Sequence, residues 1–147
     1  MLPNINQYPV ALCGILKAGL VVVNVNPLYT PRELKHQLSD SKAKAILILE
    51  NFANVLSEII DDTSIEQVII TKIGDMLSFP KNHIVNFVVK YIKKMVPAYE
   101  FKQLASFLDV LSQHESEELE KIEINLEDIA FLQYTGGTTG LSKGAMI

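Results

Sequence analysis

The stretch Thr135-Gly136-Gly137-Thr138-Thr139-Gly140-Leu141-Ser142-Lys143-Gly144 holds the residue types best suited to chemistry in this 147-residue chain. Three of the six residues from Thr135 to Gly140 are glycine, which lets a backbone turn tightly and come close to a ligand. Successive backbone N–H groups in such a loop can form a nest for an anion. The hydroxyls of Thr135, Thr138 and Thr139 add short donors, and Lys143 adds a positive charge. Neutral donors with one cation suit a polyphosphate. The spacing is not that of the Gly-x-x-x-x-Gly-Lys-Ser/Thr phosphate loop, because Lys143 precedes Gly144 instead of following a glycine. A plain Gly/Thr hairpin or linker is the alternative, although linkers rarely follow directly on a buried strand.

A strand has to hold that loop. Residues 129–134, Ile-Ala-Phe-Leu-Gln-Tyr, have the apolar and aromatic content of one, introduced by Asn125 or Asp128. Upstream, residues 9–18 predict a helix with Val10, Cys13, Ile15 and Leu16 largely apolar, stopped by Gly19. Residues 20–25 form a continuous β-branched run, as in a strand buried on both faces of a parallel sheet. Thr30 as cap, Pro31 at the first position and Glu33 in the capping-box place predict a helix to about Ser41. A strand at 45–49, a helix at 52–60 and a strand at 68–71 follow. This alternation gives an α/β fold, a partial open sheet with flanking helices.

The pattern changes from Gly74 to Pro80. Ile84, Phe87, Val88, Tyr91, Ile92 and Met95 then keep helical spacing, with Lys90, Lys93 and Lys94 beside them and Pro97 ending the helix. A second helix is expected over 102–112. The chain thus divides into α/β units at 1–73, a helical insertion at 74–124, and a strand plus phosphate-binding loop at 125–147. Six lysines stand against two acids between residues 72 and 102, and one lysine against eight acids between 103 and 128, which reads as two solvated faces. The apolar side of the helix at 84–96 is expected to pack on the domain; an exposed side would instead suit a membrane surface.

Composition narrows the classes. The chain is 48% hydrophobic and 20% charged, so it can bury a core and does not look disordered. A net charge of −4 argues against nucleic-acid binding by bulk electrostatics. The apolar run at 10–25 is short for a membrane span and is interrupted by Lys17 and Asn24. No secretory signal is evident. Cys13 is the single cysteine; it reads as an inert core residue and fits a reduced, cytoplasmic setting. His36, His83 and His114 lack metal-ligand spacing and read as surface histidines.

Residues 134–144 resemble the phosphate loop of the adenylate-forming superfamily, which includes acyl-CoA synthetases, adenylation domains of peptide synthetases and luciferases. Gly136 stands where that loop often has serine, and Ser142 where it often has proline. Ile15-Leu16-Lys17-Ala18-Gly19 and Asn24-Val25-Asn26-Pro27-Leu28-Tyr29-Thr30-Pro31-Arg32-Glu33-Leu34 resemble the early part of the same superfamily's large domain. With Asn86-Phe87-Val88-Val89-Lys90-Tyr91-Ile92-Lys93 and the stretch from Phe131 to Gly140, the resemblance narrows to the bacterial long-chain fatty acid–CoA ligases and covers essentially the whole chain.

The resemblance implies a two-step reaction. ATP and a fatty acid give an acyl-adenylate and pyrophosphate, and coenzyme A then takes the acyl group. It implies that Tyr134, Thr135, Gly136, Gly137, Thr138, Thr139, Gly140, Leu141, Ser142, Lys143, Gly144 and Ala145 hold the phosphates, with Thr135 reaching a bridging Mg²⁺. No catalytic residue is expected among these 147 residues: the adenine-reading motif, the metal-binding glutamate, the acyl tunnel and the catalytic lysine of such enzymes would lie beyond Ile147, so the chain alone is expected to be inactive. Expected partners are a long-chain fatty acid, ATP and coenzyme A. Peripheral association with the inner face of the cell membrane and a homodimer stay open. So do three rival readings: a ligase for a shorter or aromatic acid, a non-catalytic module docking on a membrane or partner, and a stand-alone nucleotide-binding domain.

Overall fold

A computed structural model describes residues 1–119, 121–135 and 142–147. Helix α1 (Gln7–Lys17) ends at Gly19, whose φ of 66° is left-handed. The N–H of Leu20 bonds to the carbonyl of Ile15 and that of Gly19 to Leu16, the paired bonds that close a helix on glycine. Strand β1 (Val22–Val23) follows, shorter than the predicted run. Leu20 and Val21 are exposed and precede β1, whose Val22 is buried. The expectation of burial on both faces therefore fails for the first two. Cys13 is also exposed: α1 turns it outward, so it is not a core residue.

Helix α2 (Pro31–Ser41) forms as its sequence dictates. Thr30 accepts from the Glu33 N–H, Glu33 accepts from the Thr30 N–H, and Pro31 occupies the first turn. Such a cap contributes about 1 kcal/mol. Leu34 and Leu38 from α2 join Ile46 and Ile48 of β2 (Ala45–Leu49), Leu56 of α3 (Ala53–Ser57), and Val68 and Ile70 of β3 (Gln67–Thr71) in one buried cluster. Each fully buried Leu or Ile contributes roughly 1.5–3 kcal/mol by leaving water. Single turns of 3₁₀ helix at Glu50–Phe52 and Ile60–Asp62 flank α3, where one helix over 52–60 was expected.

Among the described residues, the strands form two small sheets instead of one. β2 and β3 pair in parallel from Ala45↔Gln67 to Leu49↔Thr71, and β4 (Ala105–Ser106) extends them beside β3. β1 does not join β2. It pairs in parallel with β5 (Phe131–Thr135), which pairs antiparallel with β6 (Lys143–Met146). The α/β class stands, as two open sheets with helices.

The region after β3 departs most from expectation. α4 (Lys81–Phe87) continues as a π-helical turn, Val88–Ile92, and stops before Lys94, whose φ is 52°. Its Asn86 accepts from the Gly74 N–H and donates to Asp75, which turns Val85, Val88 and Val89 inward. Ile84, Phe87, Tyr91, Ile92 and Met95 are left more than half exposed, so the predicted apolar face does not pack on the body. The expected second helix begins later, as α5 (Phe107–Gln113), because Ala105 and Ser106 are spent on β4. No helix among the described residues is long and apolar enough to cross a membrane.

Candidate functional site

The glycine/threonine stretch lies between two antiparallel strands. β5 and β6 run antiparallel in the register Leu132↔Met146, Gln133↔Ala145, Tyr134↔Gly144 and Thr135↔Lys143. Phe131 and Ile147 exchange both backbone hydrogen bonds, so strict alternation makes Gln133/Ala145 and Thr135/Lys143 hydrogen-bonded pairs too. Gly136, Gly137, Thr138, Thr139, Gly140 and Leu141 lie outside the described residues. Thr135 belongs to β5, and Lys143, Gly144 and Ala145 belong to β6. The reading of these residues as loop is corrected. Non-local pairing with β5 gives strand structure to a Lys-Gly-Ala segment of weak strand preference.

Opposite residues of an antiparallel pair share one face. The hydroxyl of Thr135 and the ammonium of Lys143 therefore project together from the mouth of the hairpin, and both residues are exposed. Tyr134 and Gly144 share the other face. A Cβ on Gly144 would lie 3.0 Å from Tyr134 Cε2 and 3.1 Å from Cζ, so glycine gives the ring room to lie across the strand. The ring reaches α2, where the phenol donates a 2.5 Å hydrogen bond to Asp40 Oδ2. Burial above all, then this bond and the negative charge of Asp40, push the Tyr134 phenol up to about 12.

Other contacts brace the base. Val22 N–H donates to the Ala130 carbonyl, and the Asn24 amide donates to Gln133 Oε1 at 3.3 Å. Tyr8 donates to Asn24 Oδ1, and the buried Gln37 donates to the Asn24 carbonyl. At the far end, His36 Nε2 lies 3.0 Å from the Ser142 carbonyl. His36 is half-buried and bonded, which corrects its reading as a surface histidine; His83 and His114 are exposed. Asn24, His36 and Asp40 were not among the expected site residues. The available signal was the four-residue spacing of His36 and Asp40, which puts both on one side of a helix. A largely apolar cavity of about 450 Å³, lined by Leu12, Ile15, Val23, Leu47 and Leu132, lies elsewhere; neither Thr135 nor Lys143 lines it.

A hydroxyl and an ammonium fit an anion's oxygens. Among the described residues no group of three His, Cys, Asp or Glu could hold a metal ion. One threonine oxygen fits Mg²⁺ only as a supplement to other oxygen ligands.

The sequence profile of the AMP-binding enzyme family matches residues 1–147. A long-chain-fatty-acid–CoA ligase of Salmonella typhimurium is 57% identical over 147 residues, 100% of this chain and 26% of that protein. The chain thus spans about a quarter of the length of the curated relatives it matches. Among solved structures, an anthranilate CoA ligase in complex with anthranoyl-AMP aligns with a TM-score of 0.71 at 22% identity, over 95% of this chain and 22% of that one. A long-chain-fatty-acid–CoA ligase of Archaeoglobus fulgidus aligns with a TM-score of 0.64 at 24% identity, over 99% of this chain and 23% of that one. Both share the fold. The hairpin that carries Thr135 and Lys143, and the 147 residues that build it, belong to the AMP-binding enzyme family.

Proposed function

We propose that the chain forms the phosphate-holding part of a long-chain fatty acid–CoA ligase. The observation that carries this is the Thr135/Lys143 pair at the mouth of the hairpin, a donor and a cation on one face. The 57% identity to a ligase named for long-chain fatty acids supports the acid class. In the reaction, the fatty acid carboxylate attacks the α-phosphorus of ATP, and the bond to the bridging oxygen breaks to release pyrophosphate. The thiol of coenzyme A then attacks the acyl carbon and AMP leaves. Lys143 offsets charge on the β- and γ-phosphates as they depart, and Thr135 orients them. Mg²⁺, with Thr135 as a supplementary ligand, would supply further charge neutralisation. We assign this activity to a protein of the relatives' length, not to residues 1–147 by themselves.

The test is a graft of residues 1–147 into the matching stretch of the Salmonella typhimurium ligase, assayed for pyrophosphate release with oleate. Release with oleate at a rate near that of the parent ligase supports the phosphate-holding role. A folded graft that releases no pyrophosphate overturns it, and the acid preference itself is read on a protein that carries its own acyl pocket.

The exposed side of α4 and its π-helical turn favours a second property, peripheral binding to an anionic membrane. Phe87, Tyr91, Ile92 and Met95 are exposed, and Lys90, Lys93 and Lys94 lie among them without an acid between residues 76 and 99. Apolar side chains with adjacent lysines suit a bilayer interface.

A further inference from the structure

Helix α2 touches the hairpin on either side of the Thr135/Lys143 pair. Asp40 accepts from Tyr134, the residue before Thr135. His36, one helical turn earlier, meets the carbonyl of Ser142, the residue before Lys143. A carbonyl only accepts, so Nε2 of His36 carries the hydrogen. Their four-residue spacing sends both side chains from one side of the helix. The helix is a fixed support: its N-terminus is capped, Leu34, Gln37 and Leu38 are buried, and Gln37 is tied to Asn24. One buried face thus anchors α2 while another side holds the two residues that precede the phosphate contacts.

We propose that His36 and Asp40 are positioning residues for ATP: by holding Ser142 and Tyr134 they set where Thr135 and Lys143 stand. This rests on the phosphate-holding role assigned to those two residues. Both act at one remove, through the carbonyl of Ser142 and the phenol of Tyr134. The pairing also accounts for Gly144, since a side chain there would crowd the Tyr134 ring where it crosses to Asp40.

The variants are His36→Ala, His36→Gln, Asp40→Ala and Asp40→Asn. Glutamine keeps a donor at similar reach, and asparagine keeps an acceptor. Amide hydrogen exchange is read on the 147-residue chain, and KM and kcat on the graft. The alanine variants are expected to raise the KM for ATP about tenfold, since small displacements of positioning groups are costly, while the KM for oleate stays within about twofold. Exchange at the Thr135 and Lys143 amides should quicken about tenfold as the hairpin end opens locally, with Phe131 and Ile147 as unchanged references. The Gln and Asn variants should recover most of both effects. Unchanged exchange in both alanine variants overturns the clamp. Faster exchange with an unaltered KM for ATP in an active graft overturns the positioning role. Faster exchange in the chain with an inactive unsubstituted graft supports the clamp and contradicts the ligase reading instead.

Discussion

The phenol of Tyr134 donates to the carboxylate of Asp40 across 94 positions of sequence, at 2.5 Å. This bond ties β5 to α2 just before Thr135, the first residue assigned to the phosphates. Tyr134→Phe keeps the ring and removes the donor. Asp40 is exposed and water replaces the lost donor, so the expected cost is about 1 kcal/mol in urea unfolding at pH 8.

The same pair makes stability depend on alkaline pH. Burial first, then Asp40, push the phenol up to about 12 in the folded chain, against about 10 for an unperturbed tyrosine. The folded state holds this proton more tightly than the unfolded one. The contribution is therefore complete below pH 10 and is lost as pH rises through 12. The stability gap between the native chain and Tyr134→Phe should shrink over that window. Urea midpoints measured from pH 8 to 11.5 check this, and a constant gap contradicts it.

Gly144→Ala places a methyl group 3.0 Å from the Tyr134 ring, tighter than most real contacts. The ring or the strand must shift, at a cost of about 1–3 kcal/mol. The cost should shrink in a Tyr134→Ala background, because the two residues share one space. Thermal unfolding of the two single variants and the double variant measures the coupling; strict additivity would contradict the contact.

The parts of the fold that could be read from sequence are those set locally. Thr30, Pro31 and Glu33 define the start of α2 by contacts within one turn, and Gly19 ends α1 by its own backbone freedom. β2 and β3 fall where their apolar runs predict. β4 and β6 were not legible, because Ala105-Ser106 and Lys143-Gly144-Ala145-Met146 become strands only through partners elsewhere in the chain. The site divides the same way. Thr135 and Lys143 announce their chemistry by type, whereas His36 and Asp40 enter through contacts that span 106 and 94 positions.

The exposed side of α4 gives a separate prediction. Each lysine near an anionic surface adds about 1 kcal/mol of binding. Replacing Lys90, Lys93 and Lys94 by Glu should abolish co-sedimentation of the graft with phosphatidylglycerol vesicles at low salt, and high salt should weaken binding of the unsubstituted protein. Equal binding by both proteins without a salt effect removes the membrane role.

Lys143 is exposed on β6, so its replacement should leave folding nearly unchanged while removing charge from the phosphate contact. The decisive measurement is the rate of pyrophosphate release with oleate by the grafted ligase carrying Lys143→Ala, beside the unsubstituted graft. A fall of about ten- to a thousandfold with unchanged thermal stability is predicted, as for the loss of one preorganised contact to developing charge. An unchanged rate would contradict the assignment of the Thr135/Lys143 hairpin to the phosphates of ATP.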